Sequence, residues 1–483
     1  MQNKRFTIRL IVALIAFSPL IATADSLADK IDGLISTKNR SRTLYTIHFR
    51  DIASDQTIYK FNADRPQKPA SNMKIITTAV ALDTLGPDFQ YDTLYGIAGD
   101  DLAVIASGDP LIGDPVLAEQ RGQDIFQVFD VLAAKLKENN IDFIKGNLII
   151  DDSIFDNKYF HKSWDPDQAN RWYAAEVAGL SFNDNCIDIL FEPAAIGQMA
   201  RYSLMPDTKF IDITNKCKTI AKGSTKVGAL RAINSNNVTL IGQCQSKRTV
   251  PIYLAIHQPS ALHGFVLAER LLSKHGIKIQ GKLIIKKITD KQNNPPEGFK
   301  TLLIHQTQLS TVLDQCNQRS LNLAAEALFK TIGTRSPGPD SDKIVNQGSW
   351  ESGRKNIEAF LQRLNIPVDQ FKIDDGSGLS HNNKISAEAM TTILTYMYKH
   401  KNSSVYLESF ATPETGTLAK RSRFSEYDNR IYAKTGSISG VNSLSGYCQD
   451  KQGRWMAFSI LTNSPSASNS TIDQIVKYCM DNE

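Results

Sequence analysis

The stretch PASNMKIITTAVALDTLGP, residues 69–87, decides how the rest of the chain is interpreted. It places Ser71 three residues before Lys74, at the head of an apolar run that Gly86 and Pro87 end. A run of this length with a Gly-Pro stop predicts a helix. Positions i and i+3 share one face of a helix, so the serine hydroxyl and the lysine amine can lie within hydrogen-bonding distance.

This spacing predicts a nucleophile and its base. Lys74 is followed by Ile75 and Ile76, and burial in apolar surroundings lowers the pKa of an amine. A neutral lysine can accept the proton of Ser71, and the helix N-terminus favours negative charge there. The competing interpretation is a helix cap followed by an ordinary lysine, because serine is a common N-cap.

Ser-x-x-Lys is a weak motif when it stands alone, since Ser352 and Lys355 form a second copy. That copy is flanked by Glu351 and Arg354, as expected for the solvated start of a helix. The apolar surroundings of Lys74 therefore favour the first copy as the chemical one.

A second motif, Ser-x-Asn, places Ser320 and Asn322 directly before a helical pattern. The same pattern occurs at residues 181–183, 235–237 and 380–382, so it is also weak alone. An N-cap by Ser320 would explain it without any chemistry.

The third motif, Lys434-Thr435-Gly436, occurs once, in a strand-like run. On an edge strand the lysine and threonine would face a substrate carboxylate, and the glycine would allow the backbone to come close. The order Ser-x-x-Lys, Ser-x-Asn, Lys-Thr-Gly is that of penicillin-binding proteins and serine β-lactamases. Together the three motifs are a strong signal.

The two ends of the chain predict one antiparallel sheet. Residues 44–49 and 57–61 alternate or run apolar around a turn, which is typical of a hairpin. Three more strand patterns lie around residues 431–435, 442–448 and 454–461. If these five strands pair, both chain ends build one domain and the middle is inserted into it.

The sequence pattern that indicates helices, strands and turns changes twice in the middle of the chain. Helical patterns at residues 124–137 and 261–275 lie among short strands and predict βαβ-like units. Between them, turn residues dominate, which favours one insertion nested inside another. The predicted division is 25–90 with 289–483 for the outer domain, 91–160 with 247–288 for an inserted α/β domain, and 161–246 for a nested, mainly-β domain.

Residues 1–24 predict a cleaved secretory signal peptide. They combine three basic residues, an apolar run and a small-residue end, Ala22-Thr23-Ala24. Pro19 and the shortness of the run argue against a membrane anchor. The formal charge of +5 includes these three basic residues, so the exported chain is nearly neutral and a nucleic-acid partner is not expected.

Export permits disulfides, and the six cysteines are interpreted accordingly. Cys217 and Cys244 flank a turn-rich segment, where a bridge would contribute about 3 to 4 kcal/mol. The others are expected to be buried free thiols: Cys186, Cys316, Cys448 and Cys479. No CxxC, no HExxH and no histidine cluster supplies ligand spacing, so neither a metal nor a cofactor is expected.

With these motifs the chain resembles the D-alanyl-D-alanine carboxypeptidase/endopeptidases, the class C low-molecular-mass penicillin-binding proteins. Residues 108–110, 146–151 with Phe155, and 375–380 also match, as does the long stretch between the first two motifs. The resemblance implies an α+β fold with a serine β-lactamase/D,D-peptidase-like domain. In it, an antiparallel sheet of about five strands has helices on both sides, and two domains are inserted.

The resemblance also implies roles for individual residues. Ser71 would be the acylated nucleophile and Lys74 its base, with an oxyanion hole formed by the N–H groups of Ser71 and Ser437. Proton transfer and binding of the substrate amide and carboxylate would fall to Ser320, Asn322, Lys434, Thr435 and Gly436. Asp151, Phe155 and Arg421 would contact the charged end of a diaminopimelate side chain.

The implied function is a periplasmic D,D-peptidase acting on peptidoglycan stem peptides and acylated by β-lactams, with a homodimer left open. One alternative is an enzyme that hydrolyses β-lactams with the same residues, although the long insertion argues against it. Another is a peptidoglycan-binding protein with little activity, although the three intact motifs argue against that.

Overall fold

The computed structural model describes residues 26–36, 43–339, 341, 343–464 and 468–482. The signal peptide predicted for residues 1–24 lies outside the described residues. The helices are α1 (Leu27–Ser36), α2 (Met73–Leu85), α3 (Pro115–Gln120), α4 (Gln127–Glu138), α5 (Pro259–His275), α6 (Leu309–Asn317), α7 (Asn322–Ile332), α8 (Trp350–Arg363), α9 (Ala387–Tyr398), α10 (Ser403–Glu408) and α11 (Asn469–Met480). Within the described ranges, none of these helices is long and apolar enough to span a bilayer.

The strands alternate with these helices along the chain. They are β1 (Leu44–Asp51), β2 (Thr57–Phe61), β3 (Gln90–Ala98), β4 (Asp101–Ile105), β5 (Phe143–Ile144), β6 (Leu148–Asp151), β7 (Cys186–Glu192), β8 (Arg201–Met205), β9 (Asp212–Asn215), β10 (Lys218–Ile220), β11 (Lys226–Leu230), β12 (Asn237–Gln245), β13 (Val250–Ala255), β14 (Lys278–Ile279), β15 (Leu283–Ile285), β16 (Lys300–Gln308), β17 (Phe371–Lys372), β18 (Lys384–Ile385), β19 (Ile431–Ile438), β20 (Val441–Gln449) and β21 (Trp455–Asn463).

The first sheet joins the two chain ends, in the order β19-β20-β21-β1-β2. All of its pairs are antiparallel, and β1 lies against β21 with Leu44 opposite Asn463. Helices α1 and α11 pack on one face, and α2 and α6 to α9 contribute to the core on the other. The predicted α+β class, with an antiparallel sheet built from both chain ends, is confirmed.

Helix α2 lies in the core on the second of these two faces of the first sheet. Its residues from Met73 to Thr84 are all buried, which fits a helix that is apolar on every side. Gly86 then ends it with φ of 78°, a conformation that favours glycine. The start of α2 is thereby fixed in the middle of the molecule, and Ser71 lies in the turn that precedes it.

The inserted part contains three further sheets of at least three strands. The second sheet has the order β15-β6-β4-β3-β16. It is mixed, because β15, β6 and β4 run parallel to one another, whereas β3 runs antiparallel to both of its neighbours, β4 and β16. Parallel neighbours require long crossover connections, and those connections carry α3 to α5. The remaining strands form β13-β7-β8 and the four-stranded sheet of β9 to β12.

Two strands cross the boundaries expected from sequence. β16 lies in the range assigned to the outer domain but pairs with β3, so the second sheet extends to Gln308. Strand β13 pairs with β7, so the nested sheets extend to Ala255 rather than residue 246. Both strands are largely exposed or half-buried, so neither carries a strong apolar pattern. The division into domains otherwise stays a prediction.

The predicted disulfide between Cys217 and Cys244 is not formed in the structure, which holds both as buried free thiols. Strands β10 and β12 run parallel with Thr219 opposite Cys244, so Cys217 is two positions out of register. That offset places the α-carbons roughly 8 Å apart, longer than the ~7 Å that a disulfide can span. The other four cysteines are buried free thiols, as expected.

Candidate active site

Ser71 lies in a single 3₁₀ turn, Ala70–Asn72, which leads directly into α2. The turn is tightly packed, and Ala70 adopts a positive φ of 49°. Gly378 lies against it with φ of 83°, and a Cβ at that position would collide with the Ala70 carbonyl. The serine is therefore held in a rigid turn at the start of a buried helix.

Lys74 lies beside Ser71 and is fully buried. Its Nζ is 3.1 Å from Ser71 Oγ, 2.7 Å from Asn322 Oδ1 and 2.9 Å from the carbonyl oxygen of Ser377. Burial lowers the pKa of Lys74 to about 8, although the nearby Cys316 and Glu326 act in the opposite direction. A substantial fraction of the amine is thus neutral near physiological pH.

The three neighbours of the Lys74 amine are compatible with both of its protonation states. A neutral amine has two N–H donors and one lone pair, whereas an ammonium has three donors. Asn322 Oδ1 and the Ser377 carbonyl accept both N–H donors. The third position of Nζ faces Ser71 Oγ, to which the ammonium form donates a hydrogen bond and from which the neutral form can accept the proton, as a general base does.

Asn322 is the first residue of α7, and its amide orientation is fixed. Its Nδ2 donates to the backbone carbonyl of Tyr173 at 2.6 Å, which leaves Oδ1 facing Lys74. Tyr173 belongs to the inserted part of the chain. The insertion therefore contributes directly to the site.

Ser320 and Lys434 form a second pair. Lys434 Nζ donates to Ser320 Oγ at 2.9 Å and to its neighbour's carbonyl, Thr435 O, at 2.9 Å. Ser320 has a φ of 66°, so it is not a regular N-cap of α7. Burial and the positive charge of Lys74 lower the pKa of Lys434 well below its usual range. The two lysines thus lie close enough to influence each other.

Thr435, Gly436 and Ser437 continue along β19. Thr435 Oγ1 donates to Thr417 Oγ1 at 2.8 Å, and Ser437 is exposed. A Cβ at Gly436 would lie 2.9 Å from the carbonyl oxygen of Pro69. Glycine is thus needed here for β19 to pack against the segment that carries the nucleophile.

Asn72 is a site residue that the sequence analysis missed. In the amide orientation that satisfies both ends, Nδ2 donates to the Lys434 carbonyl at 2.9 Å and Oδ1 accepts from Ser445 N at 3.1 Å. It joins the Ser71 turn to β19 and β20. Its place inside the Ser-x-x-Lys motif was the signal that could have revealed it.

Two predicted substrate contacts, Asp151 and Phe155, belong to the inserted part of the chain. Asp151 is buried, and its carboxylate accepts from Ser153 N, Ile288 N and Thr289 N within 3.0 Å. Phe155 is also buried, with its ring against Gly108. Both side chains are buried against other residues of the protein, and their contact with a substrate side chain stays a prediction.

The third predicted contact, Arg421, is bound to the C-terminal helix. Its guanidinium donates to Asp473 Oδ1 at 2.5 Å and to Asn469 Oδ1 at 3.1 Å. The arginine is close enough to Lys434 for its charge to lower that residue's pKa. Its hydrogen bonds hold α11, and the predicted side-chain contact stays a prediction.

The second Ser-x-x-Lys copy provides an internal comparison. Ser349 caps α8 and hydrogen-bonds Ser352, while Lys355 is exposed and pairs with Glu351 at 2.9 Å. This is the solvated helix start that the sequence predicted. The described residues contain no group of three or more His, Cys, Asp or Glu side chains arranged to hold a metal ion.

Comparisons with known proteins show which family the sequence matches. The family model described as the D-Ala-D-Ala carboxypeptidase 3 (S13) family matches residues 27–481. The D-alanyl-D-alanine carboxypeptidase of Actinomadura sp. (strain R39) is 26% identical over 484 residues, covering 94% of this chain and 85% of that protein. The D-alanyl-D-alanine carboxypeptidase DacB of Haemophilus influenzae is 23% identical and covers 87% of this chain and 85% of that protein.

A solved structure has the same fold. Penicillin binding protein 4 (dacB) from Haemophilus influenzae superposes with a TM-score of 0.75 at 21% identity, covering 92% of this chain and 97% of that chain. A second structure of that protein, complexed with a β-lactam, superposes with a TM-score of 0.70. The serine D,D-peptidase-like fold expected from the motifs is confirmed over nearly the whole chain.

Proposed function

Because the chain belongs to the D-Ala-D-Ala carboxypeptidase 3 (S13) family, we propose that it is a serine D,D-carboxypeptidase and D,D-endopeptidase of peptidoglycan. It removes D-alanine from stem peptides ending in D-Ala-D-Ala and cuts D-Ala-diaminopimelate crosslinks. The observation that carries this proposal is the buried amine of Lys74 beside Ser71, with Nζ and Oγ 3.1 Å apart.

The first step of the proposed reaction forms an acyl-enzyme. Lys74 accepts the proton of Ser71, whose Oγ attacks the carbonyl carbon of the penultimate D-alanine. The N–H groups of Ser71 and Ser437 stabilise the oxyanion, a contribution of about 10²- to 10³-fold per donor. The C–N bond breaks, and the leaving amine receives the proton from Lys74 through the Ser320 hydroxyl.

Asn322 holds the substrate amide, and the Lys-Thr-Gly strand binds the terminal carboxylate. The apo surroundings lower the pKa of Lys434, but a carboxylate placed beside the amine favours its ammonium form. Thr435 donates a second hydrogen bond after leaving Thr417. Gly436 holds β19 close to the nucleophile.

Water completes the cycle. It hydrolyses the ester on Ser71, regenerates the hydroxyl and releases the shortened peptide. A β-lactam acylates Ser71 through the same step, but its ring-opened leaving group stays attached and the acyl-enzyme persists. The signal peptide predicted for residues 1–24 supports export to the periplasm, where peptidoglycan is accessible.

The experiment that tests the proposal is intact-mass analysis after incubation with a penicillin, followed by peptide mapping. We expect one adduct on the peptide that contains Ser71, and none in Ser71→Ala, which removes one oxygen and no core volume. Wild-type protein that has not been exposed to the penicillin should release D-alanine from a pentapeptide ending in D-Ala-D-Ala.

Other outcomes would contradict the proposal. Rapid hydrolysis of the penicillin without a persistent adduct would identify a β-lactam-hydrolysing enzyme. A folded protein that forms no adduct and releases no D-alanine would favour a peptidoglycan-binding role. An adduct that persists in Ser71→Ala would exclude Ser71 and make Ser352 the next candidate.

A further inference from the structure

Glu326 is a fully buried carboxylate that the proposed mechanism leaves without a role. It lies on α7 one turn after Asn322, so the two side chains share a helix face. Burying a carboxylate is costly unless hydrogen bonds compensate for the lost water. Its position next to the site therefore requires an explanation.

Three N–H donors converge on this carboxylate. Oε1 accepts from Ser377 N at 2.7 Å. Oε2 accepts from Gly376 N at 3.1 Å and from the indole Nε1 of Trp350 at 2.8 Å. None of these donors can act as an acceptor, so the arrangement fits the ionised form of Glu326.

The backbone that Glu326 holds is the one that contacts α2. The Ser377 carbonyl accepts from Lys74 Nζ at 2.9 Å, and the Gly376 carbonyl accepts from Thr77 Oγ1 at 2.7 Å. A Cβ at Gly376 would lie 2.7 Å from the Ala325 carbonyl, so the turn is pressed against α7. The turn thus lies between Glu326 on one side and Lys74 on the other.

Charged and titratable groups approach Glu326 from each neighbouring element. They are Lys74 of α2, Cys316 of α6, Lys330 of α7 and Asp375 of the turn. His161 of the insertion contacts Trp350, a donor to Glu326, with the two rings 5.0 Å apart. Burial and the charge of Asp375 raise the pKa of Glu326 to about 7, although the hydrogen bonds from the three donors lower it. The negative charge of Glu326 in turn raises the pKa of Lys74, against the larger effect of burial.

We propose that Glu326 is a positioning residue for Lys74. Its carboxylate fixes the Gly376-Ser377 backbone so that the Ser377 carbonyl accepts one N–H of the amine and the lone pair stays directed at Ser71. Its charge also stabilises the ammonium form of Lys74. This inference rests on the proposed function, because it assigns Glu326 to the acylation of Ser71.

The test compares acylation rates of the full chain with a chromogenic β-lactam across pH. Glu326→Gln keeps the size but places an NH₂ group against N–H donors. We expect the second-order acylation rate to fall about 10- to 100-fold, since displacing a catalytic group by ~1 Å costs about that much. The acid limb of the pH profile is the range in which the acylation rate falls as pH decreases. It should move to lower pH, because losing the negative charge lowers the pKa of Lys74 further.

Two further variants separate charge from packing. Glu326→Asp keeps the charge but shortens the side chain, so we expect slower acylation with the acid limb unmoved. Glu351→Gln is the matched control, because it makes the same change on the exposed face of α8. Its rate and its profile should equal those of the wild type.

The inference is overturned if folded Glu326→Gln acylates at the wild-type rate with an unmoved acid limb. It is also overturned if the Gln and Asp variants lose rate equally and neither limb moves, because that outcome indicates packing alone. If Glu326→Gln does not fold, a wild-type rate in Glu326→Asp overturns it. Failure of the proposed function looks different, since the wild type itself would then form no adduct, and the inference would fail with it.

Discussion

Lys74 sets the pH dependence of the proposed reaction. It must be neutral to accept the proton of Ser71, and burial lowers its pKa to about 8. Below that pH the ammonium form predominates, so the acylation rate should fall roughly tenfold per pH unit. We expect the rate to rise with pH and level off above about 8, measured with a chromogenic β-lactam. A rate that is constant between pH 5 and 9 would contradict Lys74 as the base.

Lys434 is expected to act on the substrate's terminal carboxylate. Lys434→Ala removes a charge-assisted hydrogen bond of about 1.5 to 3 kcal/mol. D-alanine release from a peptide with a free carboxylate should therefore slow by about 10- to 100-fold, whereas a C-terminally amidated peptide should be affected far less. Lys420→Ala, at an exposed lysine, is the control. An equal loss for both peptides would count against the assigned role.

The residues that the sequence could not reveal contribute through their backbones. Tyr173 and Ser377 supply carbonyl oxygens to Asn322 and Lys74, and any amino acid provides the same carbonyl. The three motifs were recognisable because they require particular side chains. Asp151 shows the converse difficulty, since a carboxylate that caps backbone N–H groups has the same sequence as one that binds a ligand, and its substrate contact stays a prediction.

At the scale of helices and strands, one ion-pair cluster joins two helices of the inserted part. Asp130 of α4 accepts from Arg270, Lys274 and His275 of α5 at 2.8 to 2.9 Å. Burial alone would raise the pKa of Asp130, but these donors outweigh it and the pKa lies well below its usual range. The cluster therefore stabilises the contact between α4 and α5 when Asp130 is ionised.

Asp130→Asn should lower the free energy of unfolding by about 1 kcal/mol at neutral pH. Because the folded-state pKa is depressed, this stabilisation is fully present above the unfolded pKa of about 4 and is lost progressively as pH falls from there through the lower folded-state pKa. Urea titrations at pH 7 and pH 3 measure the difference. Glu138→Gln, in an exposed pair with Lys135, should change stability little. A loss of equal size at pH 3 would show that the charge is not responsible.

Elements with strong periodicity were predictable, and those without it were not. The five strands of the first sheet have alternating or continuous apolar residues in the sequence. Their pairing into one sheet could therefore be predicted. β16 has an irregular pattern of exposed and half-buried positions because one side of the second sheet's edge faces solvent. Its partner, β3, is set by the fold of the whole insertion, which local patterns do not encode.

At the scale of the whole molecule, Lys330 links the inserted part of the chain to the predicted outer domain. This buried lysine of α7 donates to Asp156 Oδ1 at 2.9 Å and to the carbonyls of Lys158 and Val177. Its amine also lies 4.1 Å from the centre of the Trp350 ring. Trp164 adds a second link from the insertion, donating to Asp375 Oδ2 at 2.8 Å.

Lys330→Met should lower the free energy of unfolding by about 3 kcal/mol, because it leaves Asp156 and two carbonyls without their donor. Urea denaturation measures this loss. Lys355→Met, which removes an exposed i,i+4 pair, should cost no more than about 0.5 kcal/mol. If the two variants were equally stable, Lys330 would not be the link between the inserted part and the outer domain.

The pairing of β1 with β21 has a consequence for timing. Synthesis from the N-terminus makes Ser71 early, whereas Lys434 and β21, the strand that pairs with β1, are made near the end of the chain. Until then the hydroxyl has no carboxylate-binding partner beside it, and β1 lacks its neighbour. We therefore expect that a chain that ends before β19 does not hydrolyse the proposed substrates, so that hydrolysis requires the C-terminal strands.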